Sequence, residues 1–191
     1  MRQHLCWTLP ILFLALLGCT TDSGDRGVAL DPPKPVVHVG EQMTLTARPQ
    51  EDLAQEPEWD VANLYSGAFL NTRGLRTTYV APTSAGRYTL ILRSVRADGT
   101  PIKITYPIRV LPIVLVDPAE PRLALGSTIS FTARVKGLPK STVTWSVEEG
   151  DGGSIASDGS YTAPNHPGLY HVVATSTMDP DAIAIASVQV E

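Results

Sequence analysis

Four histidines, two cysteines and a scatter of carboxylates hold whatever reactive chemistry this chain has. His4 lies near the N-terminus, His38 falls in an extended segment, and His166 and His171 are five residues apart. Five residues along a strand put two side chains on opposite faces, so His166 and His171 do not form one metal's ligand pair. Glu148, Glu149, Asp151 and Asp158 surround a Gly-rich loop, and Asp179 and Asp181 flank Pro180. Calcium takes oxygen ligands from such loops. This spacing matches no calcium loop, and Asp with Gly is also the ordinary composition of a solvated turn. No Gly-Xaa-Ser-Xaa-Gly elbow, phosphate loop or paired-cysteine motif occurs. The residues therefore point to no catalytic group, no metal and no cofactor, and to a chain that is not an enzyme.

The cysteines are more telling. Arg2 and His4 precede an uncharged apolar run, Leu5 to Leu17, which is shorter than the roughly 20 residues needed to span a bilayer. Pro10 would also interrupt a helix there. A basic start, a short apolar core and small residues before a cut are the layout of a signal peptide. The run ends in Leu16-Leu17-Gly18-Cys19, which resembles the lipobox of bacterial lipoproteins. That resemblance implies a signal peptide over 1–18, cleavage before Cys19 and acylation of its sulfur. One acyl chain holds a protein only marginally, and the family's three chains on one cysteine meet the need for more. Thr20 follows in place of Asp, which in that family favours the outer membrane. The expected location is the bacterial cell envelope, with the membrane reached through the N-terminal lipid. Cys6 would leave with the signal peptide, so the mature chain would have neither a free thiol nor a disulfide. Export permits disulfides, so the cores must hold by packing.

Residues 19–34 are rich in Thr, Ser, Gly and Asp and end in Asp31-Pro32-Pro33-Lys34. They are expected to form a flexible tether, stiffened at its end by proline, with a mean reach of about 20–24 Å. Beyond it the chain repeats. Gly40 to Ala47 matches Gly126 to Ala133, and Trp59 matches Trp145 at the same offset of 86. Tyr79-Val-Ala-Pro82 matches Tyr161-Thr-Ala-Pro164 at offset 82, and the last strands align at offset 80. The drift marks shortened loops between retained strands. Within each unit apolar residues alternate with period two, as at Met43, Leu45 and Ala47, or Val143, Trp145 and Val147. The expectation is an all-β chain of two tandem sandwiches, one over 35–111 and one over 112–191.

Gly126 to Ala133, Val143-Thr-Trp-Ser-Val147, Gly152-Gly-Ser-Ile155, Gly159 to Pro164 and Gly168-Leu-Tyr170 resemble a bacterial immunoglobulin-like domain. This is the type repeated in adhesins of the invasin and intimin kind. The resemblance covers the second unit well. It covers the first more weakly, with Glu58-Trp59-Asp60 and an unusual Asn71 to Arg76, so that unit is either a diverged copy or another sandwich subtype. What it implies is an immunoglobulin-like sandwich without the antibody disulfide, serving in binding, adhesion or spacing.

Charge separates the units. Residues 30–111 carry nine Lys/Arg and eight Asp/Glu, and 112–191 carry four and nine. An acidic exported chain lacks the basic footprint that nucleic acid requires. Strand parity turns Arg87, Arg93, Lys103 and Arg109 of the first unit outward. They form a basic strip that either pairs with Glu58 and Asp60 or touches an anionic glycan. In the second unit strand parity turns His171, Val173, Ile183 and Ile185 outward on a neutral, partly apolar face; either a register shift or bulge buries Ile183 and Ile185, or the face is exposed and is the candidate partner surface. The expected partner is another envelope or surface protein, or a glycan. The alternatives are a structural subunit docking an envelope protein and a glycan-binding module.

Overall fold

The computed structural model describes residues 27–191. The signal peptide expected over 1–18, Cys19 and the first part of the expected tether lie outside them. Seventeen strands and no helix make up the described chain. The first eight are β1 (Val28–Asp31), β2 (Val36–His38), β3 (Gln42–Pro49), β4 (Leu53–Val61), β5 (Ala68–Phe69), β6 (Arg76–Val80), β7 (Gly86–Arg96) and β8 (Pro101–Leu111). They form two four-stranded sheets, ordered β1-β3-β6-β5 and β2-β8-β7-β4. The alternation read from the sequence supplies the core. Leu45, Ala47 and Tyr79 from one sheet meet Trp59, Leu90, Leu92 and Ile108 from the other, all nearly inaccessible to water.

The second set repeats the plan. It comprises β9 (Ile113–Asp117), β10 (Arg122–Leu123), β11 (Thr128–Ser130), β12 (Thr132–Lys136), β13 (Val143–Val147), β14 (Ser154–Ile155), β15 (Ser160–Thr162), β16 (Gly168–Ser176) and β17 (Ile183–Val190). One sheet is ordered β10-β17-β16-β13. Opposite it lie the β11-β15-β14 and β12-β9 sheets. Together they match β1-β3-β6-β5, with the equivalent of β3 interrupted at Phe131, whose ring is buried. Phe131, Tyr161, Val172, Ala186 and Val188 fill this core.

One expectation is corrected. Residues 28–31, assigned to the tether, are strand β1, paired antiparallel with β3 from Val28↔Pro49 to Asp31↔Thr46. Val28 and Leu30 are buried, and the Tyr106 hydroxyl donates to the Val28 carbonyl at 2.7 Å. The reason is in the sequence itself. Val28-Ala-Leu-Asp-Pro32 repeats as Val114-Leu-Val-Asp-Pro118, again at offset 86, and in both copies the Asp-Pro bond is cis. The stretch is the opening strand of the first sandwich, and a two-residue apolar alternation suffices because β3 supplies its ladder partner.

Between the two sets the chain passes through Pro112, which is buried, with no intervening linker. Two further contacts join the sets. The Ala85 N–H donates to the Gly137 carbonyl at 2.8 Å, and Arg109 lies 3.7 Å from Asp181.

Candidate binding surface

The hairpin of β16 and β17 pairs Leu169 with Gln189, His171 with Ser187, Val173 with Ile185 and Thr175 with Ile183. β13 adds Thr144 beside Thr175 and Ser146 beside Val173. The alternate residues Tyr170, Val172, Ala174, Ala186 and Val188 fill the core, so this set must face out. Leu169 is 54% exposed, Ile183 50% and Ile185 47%, and Val173 is half-buried among them. The residues that share this face from the three strands are Thr, Ser and Gln. The result is a sheet surface uncharged across its middle and bordered by Arg122 of β10 and by the His171–Glu149 pair, with three exposed aliphatic side chains and Val173 half-buried among them.

His171 lies at the end of this outward set and is engaged by Glu149. Its Nδ1 lies 2.6 Å from Glu149 Oε1, and its main-chain N–H donates to Glu149 Oε2 at 2.9 Å. Burial alone would raise the Glu149 carboxyl. The hydrogen bonds from the His171 backbone and ring outweigh it and hold the group below the usual carboxylate range. Glu148 completes a group in which ligand atoms of Glu148, Glu149 and His171 all lie within 4.8 Å of one another. Among the described residues this is the cluster that could hold a metal ion. In sequence His171 is nearest His166, and residue spacing alone does not bring these two glutamates to it. Both Glu149 oxygens already accept from His171, so the arrangement acts as a clasp closing the strand end. His166 is placed separately, with Nδ1 2.7 Å from the Tyr170 hydroxyl and Nε2 3.9 Å from Asp151.

The basic strip is broken up. Arg87 lies directly opposite Arg109, and Arg93 opposite Lys103, an unfavourable arrangement on adjacent strands unless counter-charges intervene. Arg93 finds one in Asp60, at 2.8 Å. The Arg93 hydrogen bond, then the Val61 N–H, hold that carboxyl below its ordinary value. Arg109 turns toward Asp181 of the second set. Two of the four cations thus serve the fold's own carboxylates.

A second surface was not foreseen. The loop after β4, residues 62–67, presents Leu64 at 94% and Tyr65 at 84% exposure. Asn63 folds it locally, its side chain accepting the Tyr65 N–H at 2.9 Å and its carbonyl accepting from Ser66 at 3.1 Å. The buried Tyr79 hydroxyl donates to the Ser66 carbonyl at 2.6 Å and pins the loop from below. Burial pushes that phenol up to about 12. In the second unit the same loop, 148–153, is held by the same bond, Tyr161 hydroxyl to Gly152 carbonyl at 2.6 Å. Its tip carries Glu148, Glu149 and Asp151 instead. The repeat thus keeps the loop's anchor and changes its chemistry, a difference visible in the aligned residues Leu64-Tyr65 and Gly150-Asp151.

No protein-family model matches the chain, and no curated protein does. Among solved structures it is similar to a C-terminal 282-residue fragment of intimin, described in complex with the intimin-binding domain of the translocated intimin receptor. That likeness has a TM-score of 0.49 and 13% identity, and covers 85% of this chain and 62% of that one. The insect immune protein hemolin has a TM-score of 0.43 and 17% identity, covering 91% of this chain and 48% of that one. Fibronectin(III)-like modules of Clostridium thermocellum CbhA have a TM-score of 0.34 and 20% identity, covering 85% of this chain and 92% of that one. This chain therefore spans less than two thirds of the length of the first two. At such identities the likeness concerns sandwich architecture alone and carries no ligand across.

Proposed function

We propose that this chain is a lipid-anchored binding protein of the bacterial envelope, probing for a protein partner with the outer face of β16 and β17. The observation that carries the reading is the uncharged surface of Leu169, Val173, Ile183 and Ile185. Each half-exposed aliphatic group there forgoes roughly half of the 1.5–3 kcal/mol that full burial of such a side chain supplies, which a contact surface can recover. The anchor is Cys19, and the outer membrane is its proposed site. Its support is the Leu16-Leu17-Gly18-Cys19 motif after an apolar run. A glycan reading rests on the basic strip, and the engagement of Arg93 and Arg109 with Asp60 and Asp181 leaves it weaker.

Two experiments test the two halves. Cys19→Ser should move the protein from the membrane fraction to the soluble fraction. Retention of that variant on membranes would overturn the anchor. For the face, crosslinking in intact envelopes should yield one defined adduct. Val173→Lys with Ile185→Lys should remove it while the melting temperature stays within a few degrees. An unchanged adduct would rule the face out.

A further inference from the structure

The two sandwiches treat one sheet edge in opposite ways. In the first, β4 ends its sheet, and its free side is covered by the chain's own residues 72–74. The Thr72 carbonyl accepts the Trp59 N–H at 2.7 Å, and the Gly74 N–H donates to the Pro57 carbonyl at 3.0 Å. The Trp59 indole N–H donates to the Gly74 carbonyl at 2.9 Å. The strand is protected further by Glu56, Pro57, Glu58 and Asp60 and by two register shifts.

β13 is the equivalent strand, and every one of these devices is missing. The chain from Ile155 to Tyr161 is four residues shorter than that from Phe69 to Tyr79, so nothing replaces residues 72–74. Glu148 donates to His171, and Thr142 accepts from Thr177, which shows that the even residues face β16. The main-chain groups of Val143, Trp145 and Val147 therefore point away from the sheet, where no described strand pairs with them. Val143-Thr-Trp-Ser-Val147 contains no charge and no proline. Trp145 is half-buried where Trp59 is 1% exposed, and its indole N–H has no partner among the described residues. A bare, flat edge of this kind is a template for another strand.

We propose that the open edge of β13 pairs antiparallel with β13 of a second copy of this chain, about a two-fold axis at Trp145. The edge is self-complementary. Trp145 would exchange both main-chain bonds with its counterpart, and Val143 with Val147 of the other copy, about six bonds in all. Beyond the strand ends, the turn carrying Lys140 of each copy would lie near the turn carrying Glu148 and Asp151 of the other, so opposite charges gather at both ends. This complementarity favours a second copy over an unrelated extended peptide. β13 runs from the end bearing Asp181, near Arg109, toward the far end of the second sandwich. Antiparallel pairing therefore points the two chains in opposite directions. Taken with the lipid anchor proposed above, the contact would join chains standing on facing surfaces.

The test uses residues 27–191, which contain every described sheet and core and no cysteine. Sedimentation at rising concentration, up to about 1 mM, should show a monomer–dimer equilibrium. Thr144→Glu with Ser146→Asp copies Glu58 and Asp60 of the first sandwich onto exposed positions. In the dimer it places like charges opposite each other and should weaken association at least about tenfold. The register places Thr144 opposite Ser146 of the other copy, at a separation suited to a disulfide. A mixture of Thr144→Cys and Ser146→Cys proteins should therefore oxidise to heterodimers much faster than either protein forms homodimers. A monomer throughout, a dimer indifferent to Thr144→Glu with Ser146→Asp, or equal crosslinking of each variant with itself would overturn the proposal. So would a monomer that instead binds an extended peptide at this edge.

Discussion

Trp59→Ala is expected to destabilise the first sandwich by about 3–5 kcal/mol, and Trp145→Ala to destabilise the second by visibly less. Both tryptophans stand at the same point of the repeat, and both pack on a phenylalanine, Trp59 5.7 Å from Phe69 and Trp145 6.1 Å from Phe131. What differs is the cover. Trp59 is sealed by residues 72–74, and its removal leaves a closed cavity and the Gly74 carbonyl without its donor. Trp145 is half-buried at an open edge, so part of its volume is already in contact with water and less is lost. Urea unfolding of 27–191 followed by circular dichroism checks this, with the remaining tryptophan marking the transition of the unaltered sandwich and so isolating that of the altered one. Equal losses would mean that the cover over Trp59 contributes nothing.

That asymmetry also marks where the sequence was legible. The period-two pattern placed Leu45, Trp59, Leu90, Val172 and Val188 inside and Ile183 and Ile185 outside, because a strand's alternation is a purely local property. Ile91 shows its limit. Its parity faces out, but it is 9% exposed, set between Asp60 on one side and Thr105 on the other. Its cover comes from neighbouring strands, which parity does not describe. β1 was missed for a different reason. Asp31-Pro32-Pro33 reads as a proline-stiffened tether, and only its match to Val114 to Pro118 identifies the stretch before it as a strand. The signal was present in the repeat.

The site was less legible than the core. The shortening between Trp145 and Tyr161 could be counted from the drift in offset. What the missing residues cover in the other copy depends on the path of 71–76, where Asn71 holds the turn through the Thr77 hydroxyl and the Arg76 carbonyl. The clasp of His171 by Glu149 likewise joins residues 22 apart across a loop and has no periodic signature. Divergence between the copies is concentrated in such places. The shared frame is kept by the two tyrosine-to-loop bonds, and the loop tips and strand edges it presents have become apolar in one unit and acidic or bare in the other.

Gly153→Ala should abolish folding of the second sandwich or cost it about 3–5 kcal/mol, leaving the first intact. Gly153 has φ of +88°, a conformation that side chains rarely adopt, and its Cβ would stand 2.2 Å from the Thr162 carbonyl oxygen. That neighbour is backbone of β15, itself paired on both sides with β11 and β14, so it cannot yield without breaking a sheet. Gly67 holds the equivalent place in the first sandwich, with φ of +86° and the Val80 carbonyl 2.4 Å from the same point. The loop after each tryptophan strand must therefore turn back tightly at a glycine. Only there does its preceding carbonyl, at Ser66 or Gly152, reach the buried tyrosine hydroxyl. In the Gly153→Ala protein, Trp145 fluorescence should report an early transition and Trp59 an unshifted one. If instead both shift together, the contacts of Ala85 with Gly137 and Arg109 with Asp181 couple the sandwiches into one cooperative unit. A stable second sandwich with alanine at 153 would show that the loop can close by another path, and that the tyrosine bond does not set its shape.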